Sequence, residues 1–293
     1  MVFPLPYTNY LEASDSSVWL WINANGCVQI KYRNNQQQAI FYSDTEHNVL
    51  THQGVEMVFE DSRSNIWLGC VNGLNLKSAD KLKKVIDNGR FIKAVEIENN
   101  VWFITEQGII YCFDHRNNKF RNFISIPQGN ELIDVVKLNN TELLLFTRTK
   151  GLLLLDINSG KLNENPFPHN RKINHMARYI RDNKGGIWFY DHTGVLRKYN
   201  TVTGELKELD LIPPSIVSVI DLERYNVFVD SHNISWITTY GNGLFRYDAA
   251  TGALKNYRNG NDSGGPASNF LLSITGDRSG NLWIGSEYAG IIQ

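Results

Sequence analysis

The sequence lacks most of the features that would assign it to a known chemistry. Its three cysteines include no C-x-x-C pair, so neither a redox motif nor a cysteine zinc site is indicated. No G-x-S-x-G, H-E-x-x-H or G-x-x-x-x-G-K motif occurs, and the seven histidines are scattered along the chain. We therefore predict no catalytic residues, no metal site and no cofactor.

Excess charge and long apolar runs are also missing. The net charge is −1, which excludes the basic surface that general nucleic-acid binding requires. No run of 18 apolar residues occurs, and the segment 1–7 has neither the basic start nor the apolar core of a signal peptide. We predict no nucleic-acid partner and no membrane insertion of this segment.

A phrase built around tryptophan is repeated through the chain. The clearest copies have an aspartate six residues before the tryptophan: Asp61 and Trp67, Asp182 and Trp188, Asp230 and Trp236, Asp277 and Trp283. Weaker copies centre on Trp19, Trp102 and Leu144. A glycine follows each anchor: Gly26, Gly73, Gly108, Gly151, Gly194, Gly243 and Gly290. A period in the forties is typical of β-propellers, in which each repeat forms one small sheet.

One repeat shows how the phrase encodes four strands. We predict strands over 225–229, 235–239, 244–248 and 253–257, because each run is rich in β-branched and aromatic residues. The runs are separated by turn residues, including Asp230 and Gly243. No segment shows helical periodicity with caps, so the chain is predicted to be all-β.

Seven such repeats fill the length, which predicts a seven-bladed β-propeller forming one domain over residues 1–293. Six blades are complete and the seventh is partial. The N-terminal segment Val2-Phe-Pro-Leu is one candidate strand for closing it. The repeat between Trp67 and Trp102 is short, which we interpret as a brief outer strand near residues 83–86.

These residues resemble the two-component regulator propeller repeat. Residues 277–286 are similar to its first half, and residues 243–257 are similar to its second half. The resemblance implies the extracytoplasmic sensor region of a Bacteroidetes hybrid two-component system. It further implies that the chain is a piece of a longer periplasmic sensor. Kinase activity would lie in other modules, so this segment is expected not to be an enzyme.

The resemblance also implies partners: an oligosaccharide released from a glycan, the rest of the sensor chain and a second sensor protomer. We interpret the repeated tryptophans as packing between blades and the repeated aspartates as turn residues, rather than as ligand sites. Loops between second and third strands are better candidates for binding, because they lie on one face of a rigid scaffold. The predicted ligand-binding residues are Arg148, Asp191, His192, Tyr240, Glu287 and Tyr288.

Two other functions remain open from the sequence. A carbohydrate-active or lyase-type propeller enzyme would bring acidic or histidine side chains together from different blades. A protein-interaction scaffold of the WD-repeat type would instead present a broad, partly apolar face without a deep pocket.

Overall fold

The computed structural model describes most of the chain as antiparallel strands joined by turns. The described residues are 9–21, 26–33, 36–44, 49–79, 81–127, 131–167, 176–191, 194–201, 203–211, 225–260 and 264–293. No helix occurs among them. The segment Val2-Phe-Pro-Leu lies outside them, so closure by this segment stays a prediction.

Seven sheets follow one another in chain order, six with four strands and one with three. Each sheet is one blade of a β-propeller, as the repeat predicted. The described residues divide into two compact units. The first unit comprises Met1–Thr147 and Leu153–Asn163, and the second comprises Arg148–Leu152 and Glu164–Gln293. That residues 1–293 form one domain stays a prediction.

Blades 1 to 4 lie almost wholly in the first unit. Their strands are β1 (Asn9–Glu12), β2 (Val18–Trp21), β3 (Cys27–Arg33), β4 (Gln36–Tyr42), β5 (Val55–Glu60), β6 (Ile66–Cys70), β7 (Gly73–Ser78), β8 (Lys81–Ile86), β9 (Phe91–Ile97), β10 (Asn100–Thr105), β11 (Ile109–Asp114), β12 (Lys119–Ser125), β13 (Leu132–Lys137), β14 (Glu142–Thr147), β15 (Gly151–Asp156) and β16 (Leu162–Asn163).

Blades 5 to 7 lie in the second unit. Their strands are β17 (Met176–Arg181), β18 (Ile187–Asp191), β19 (Val195–Tyr199), β20 (Leu206–Asp210), β21 (Asn226–Val229), β22 (Ile234–Thr238), β23 (Leu244–Asp248), β24 (Leu254–Tyr257), β25 (Leu271–Gly276), β26 (Leu282–Ser286) and β27 (Gly290–Ile292). The four strands predicted over 225–257 are confirmed to within one residue at each end.

The repeated aspartates form the turns between first and second strands. In each copy one carboxylate oxygen accepts the backbone N–H groups two and four residues later, as Asp61 does from Arg63 and Asn65. The other oxygen accepts the indole N–H of the tryptophan, at 2.8 Å for Asp61 and Trp67. The turn interpretation is confirmed, and the aspartate also fixes the orientation of the indole ring.

Tryptophan packing forms much of the core of the first unit. The ring of Trp67 is fully buried and contacts Phe103 at 4.7 Å, Phe113 at 5.0 Å and Phe120 at 5.8 Å between ring centroids. Leu144, which replaces a tryptophan, is also fully buried. The packing interpretation is therefore confirmed for these anchors, because their side chains are unavailable to a ligand.

In the second unit the burial of the tryptophans falls along the chain. Trp188 is fully buried beside Tyr190 and Tyr225, whereas Trp236 is half-buried and Trp283 is 37% exposed. The three-stranded blade 7 thus has the least covered anchor of the repeat.

The short repeat before Trp102 has a different cause from the one predicted. The outer strand β8 has six residues, Lys81–Ile86, so the expectation of a brief outer strand is wrong. The shortening comes from the two-residue turn over 98–99, where blade 2 has a five-residue turn over 61–65, and from the four-residue connection over 87–90 between β8 and β9. Glu98 adopts a φ of 56°, as the tight turns of β-hairpins require.

Candidate functional site

The predicted binding residues lie where second strands give way to third strands. Arg148 is exposed in the turn between β14 and β15. Asp191 is the last residue of β18, and its side chain and His192 lie outside what the structure describes. Tyr240, Glu287 and Tyr288 occupy the corresponding turns of blades 6 and 7. The structure brings these last three together.

The backbone holds Tyr240 beside the connection that leads into blade 7. Tyr240 and Phe270 form an isolated antiparallel bridge, and their rings meet edge to face with centroids 5.1 Å apart. The N–H groups of Gly241 and Gly243 both donate to the carbonyl oxygen of Asn269, at 2.9 and 3.1 Å. Gly243 is required here, because its φ is 77° and a Cβ would lie 2.3 Å from the Tyr257 carbonyl oxygen.

The turn of blade 7 completes the arrangement. The backbone N–H of Glu287 donates to the carbonyl oxygen of Phe270 at 3.1 Å. The hydroxyl of Tyr240 donates to the carboxylate of Glu287. The ring of Tyr288 meets that of Phe270 at 5.5 Å and 89°, an edge-to-face geometry. We call these four residues, Tyr240, Phe270, Glu287 and Tyr288, the Tyr240 cluster.

The Tyr240 cluster combines exposed aromatic surface with a carboxylate. Tyr288 is 72% exposed and Phe270 is 38% exposed, so apolar ring surface faces solvent. A carboxylate beside these rings can accept hydrogen bonds from hydroxyl groups. Ring contacts with Tyr240 on one side and Tyr288 on the other hold Phe270 in place.

Phe270 was missed by the sequence reasoning. It precedes the first strand of blade 7, at the end of a long polar connection from β24, where a lone aromatic residue was a usable signal. Asn269 was missed as well, although its side chain accepts the N–H of Asn259 at 2.9 Å and so orders the same connection.

A second polar group was missed in the first unit. Arg90 contacts the carboxylates of Glu56 at 2.8 Å and Glu106 at 3.3 Å. Burial alone would lower the pKa of Arg90, but the two carboxylates outweigh it and raise that pKa. Glu56 lies at a β-bulge of β5, and the bulge alters the direction of its side chain. The alternating strand pattern of the sequence does not predict such a bulge. These charges are paired with one another.

The described residues contain no group of three or more histidine, cysteine, aspartate or glutamate side chains that could hold a metal ion. Cys27, Cys70 and Cys112 are buried and form no disulfide. In the described part of the chain, no helix has the length and apolar character needed to cross a membrane.

Comparison with known families supports the resemblance seen in the tryptophan phrase. Residues 264–288, which include β25 and β26, match the family described as two component regulator propeller. This stretch therefore resembles a repeat of that family, and the predicted family resemblance is confirmed. No curated protein matches the chain.

Many solved structures are similar to this chain, and three of them illustrate the shared fold. The extracellular domain of the putative hybrid two component system BT3049 from B. thetaiotaomicron is 17% identical, with a TM-score of 0.58 over 97% of this chain and 39% of that one. The extracellular domain of the putative one component system BT4673 from the same organism is 18% identical, with a TM-score of 0.58 over 97% and 37%. This chain thus spans less than two fifths of the length of either extracellular domain.

The third is a catalytically inactive virginiamycin B lyase from Staphylococcus aureus, with quinupristin. It is 16% identical, with a TM-score of 0.58 over 96% of this chain and 92% of that chain. At these identities the likenesses establish the β-propeller fold and do not transfer any activity.

Proposed function

We propose that this chain is the ligand-sensing input propeller of a hybrid two-component sensor, and that its ligand is an oligosaccharide derived from a glycan. The family repeat in residues 264–288 and the fold shared with extracellular sensor domains support the sensing role. In this proposal the segment is periplasmic and acts by binding rather than by turnover.

The single observation that carries the oligosaccharide proposal is the Tyr240 cluster. Exposed faces of Tyr288 and Phe270 lie beside the carboxylate of Glu287 on one connected surface. Sugar rings have apolar C–H faces that pack on aromatic rings, and hydroxyl groups that carboxylates accept. A protein-interaction scaffold would need a broader apolar face than four residues supply.

Signalling then requires that ligand binding favour one of two arrangements of the sensor. A ligand shifts such an equilibrium only by its difference in affinity for the two arrangements. We propose that the remaining sensor chain and a second protomer are the partners that respond. The Tyr240 cluster contacts two consecutive blades, so a bound oligosaccharide would join the turn of blade 6 to that of blade 7.

The test is a thermal stability and calorimetric titration with a panel of defined oligosaccharides from plant and host glycans. We expect one class to raise the melting temperature by several degrees, because a ligand that binds the folded chain stabilises it. Tyr288→Ala should weaken that binding by roughly tenfold or more, about 1.4 kcal/mol.

Tyr32 provides the matched control, because it is also a tyrosine with 72% exposure. Tyr32→Ala should leave the affinity unchanged. Equal losses from both variants would exclude the Tyr240 cluster as the binding surface. Consumption of any oligosaccharide during the titration would instead support the lyase-type or carbohydrate-active enzyme that the sequence left open.

A further inference from the structure

A groove lies at the opposite end of the strands from the Tyr240 cluster. It follows the outer strands of blade 5 and the turn after β23 in blade 6, and it has a volume of about 940 Å³. Two other cavities described in the structure have volumes of about 470 and 420 Å³. Small-molecule sites commonly have volumes of roughly 300–1,000 Å³, so this groove has room for several sugar rings.

Two lysines face the groove from adjacent strands. Lys198 of β19 and Lys207 of β20 are directly opposite each other in the strand register, so their side chains leave the sheet on the same face. Like charges that are directly opposite in a sheet destabilise it. The pair therefore creates a positive potential that an anion would relieve.

Lys198 is held in place and partly shielded from water. Its ammonium lies over the ring of Trp188, 4.8 Å from the ring centroid. Burial lowers the pKa of Lys198 and the charge of Lys184 lowers it further, whereas Asp182 acts in the opposite direction. The Asp182 carboxylate accepts the Trp188 indole N–H at 2.8 Å, and the charge of Lys184 partly offsets its effect on Lys198.

The nearby acidic residues leave the positive charge incompletely balanced. Glu208 belongs to the other face of the sheet, where it pairs with Arg197 at 3.0 Å. Of the described residues that line the groove, Glu205 alone carries a carboxylate. Among the described residues, no carboxylate lies within ion-pair distance of Lys198 or Lys207.

The other walls suit a carbohydrate ring. Phe167 and Tyr199 line the same groove, and their rings meet edge to face at 5.8 Å. Tyr247 of blade 6 also lines the groove. Aromatic walls with a few polar groups are typical of sites that bind a ring while fixing its orientation.

We propose that this groove binds an anionic oligosaccharide, whose carboxylate or sulfate groups contact Lys198 and Lys207. The site is distinct from the Tyr240 cluster, and the inference does not depend on that cluster binding anything. Charge-assisted hydrogen bonds from both ammonium groups to one acidic residue of the ligand would provide the selectivity.

The experiment is calorimetric titration of the full chain with trigalacturonate, a sulfated disaccharide, the neutral maltotriose and sodium sulfate. We expect at least one acid-bearing saccharide to bind roughly tenfold more tightly than maltotriose or the sulfate ion. Lys198→Gln and Lys207→Gln should each weaken that binding by about tenfold. Raising the salt concentration should also weaken it, because salt screens charge attraction.

Lys255→Gln is the matched control, since the Lys255 ammonium also lies over an aromatic ring, 4.5 Å from the Tyr257 centroid, outside the groove lining. It should not change the affinity. If Lys198→Gln fails to fold, the exposed Lys207 supplies the deciding variant. The proposal is overturned if neither acidic saccharide binds, if maltotriose or sulfate binds equally well, or if the groove variants resemble Lys255→Gln. Tyr288→Ala should leave binding in the groove intact. A failure of the groove proposal can therefore be distinguished from a failure of the proposed sensing surface at the Tyr240 cluster.

Discussion

Blades 1 and 2 share one turn geometry but differ at the residue that opens the turn, which is Ala13 in blade 1 and Asp61 in blade 2. In blade 2, Asp61 N–H donates to the Asn65 carbonyl at 3.0 Å, and Ser64 has a φ of 59°. In blade 1, Ala13 N–H donates to the Ser17 carbonyl at 2.8 Å, and Ser16 has a φ of 61°. The backbone turn therefore forms without the aspartate.

The consequence of the difference is seen at the tryptophan six residues later. The Trp67 indole N–H donates to Asp61, whereas the equally buried Trp19 N–H has no hydrogen-bond partner among the described residues. A buried donor without an acceptor costs about 1–3 kcal/mol. The aspartate of the repeat thus stabilises the anchor more than it shapes the turn.

All three blades of the second unit have the same aspartate–tryptophan hydrogen bond as blade 2. The aspartate–indole distances are 2.8 Å for Trp188, 2.9 Å for Trp236 and 2.8 Å for Trp283. The environment nevertheless changes from buried at Trp188 to 37% exposed at Trp283. The same hydrogen bond should therefore contribute less to stability along this series, because water competes for exposed groups.

The largest effect is expected from Asp61→Ala. This change removes the acceptor of the buried Trp67 indole N–H and of two backbone N–H groups. We expect the free energy of unfolding to fall by about 2–4 kcal/mol, measured by urea denaturation. Asp114→Ala is the control: Asp114 accepts the Arg116 N–H in an exposed turn, and its removal should cost about 0.5 kcal/mol. Similar losses at the two sites would contradict a special role for the indole.

A smaller difference is expected between two tryptophan substitutions. Trp67→Phe removes a satisfied donor, whereas Trp19→Phe removes an unsatisfied one, and both anchors are fully buried. Trp67→Phe should therefore be more destabilising than Trp19→Phe by about 1 kcal/mol. Urea denaturation would measure this difference, provided that the unfolding free energy of both variants depends equally on the urea concentration. An equal cost would mean that ring packing alone determines the stability of the anchors.

The fold was predictable because its signals are local. The segment Leu244–Asp248 was predicted as a strand from its alternating apolar residues, flanked by Gly243 and Gly252, and it is the strand β23. The Asp61 turn was predicted for the same reason. The bond between Asp61 and Trp67 was not, because it depends on how the finished turn directs a side chain.

The candidate site was predictable only in part. Tyr240 and Glu287 are 47 residues apart and occupy equivalent turns of consecutive blades. The repeat marked both turns as one class but did not show that their side chains meet. Phe270 joins them from a connection outside the repeat phrase, and the lysine pair of the groove depends on the register between β19 and β20. Such contacts follow from packing and register rather than from any local pattern.

The smallest and most specific predicted effect concerns the hydrogen bond between Asp277 and Trp283, whose indole is exposed. The hydrogen bonds from Trp283 and then Asn281 lower the pKa of Asp277 from 3.8 to about 2, and burial acts in the opposite direction. Because the pKa is lower in the folded chain, the charged carboxylate favours folding. This contribution is fully present above pH 3.8 and is lost as the pH falls towards about 2.

Carboxyl NMR of Asp277, assigned with Asp277→Asn, should show this low pKa, and the Trp283 indole N–H resonance should titrate with it. Trp283→Phe should return the pKa towards 3.8, since the indole is the largest cause of the shift. An indole resonance that titrates near pH 3.8 in the unmodified chain would mean that exposure has already broken the bond. The aspartate–tryptophan pair would then stabilise only those blades that bury it.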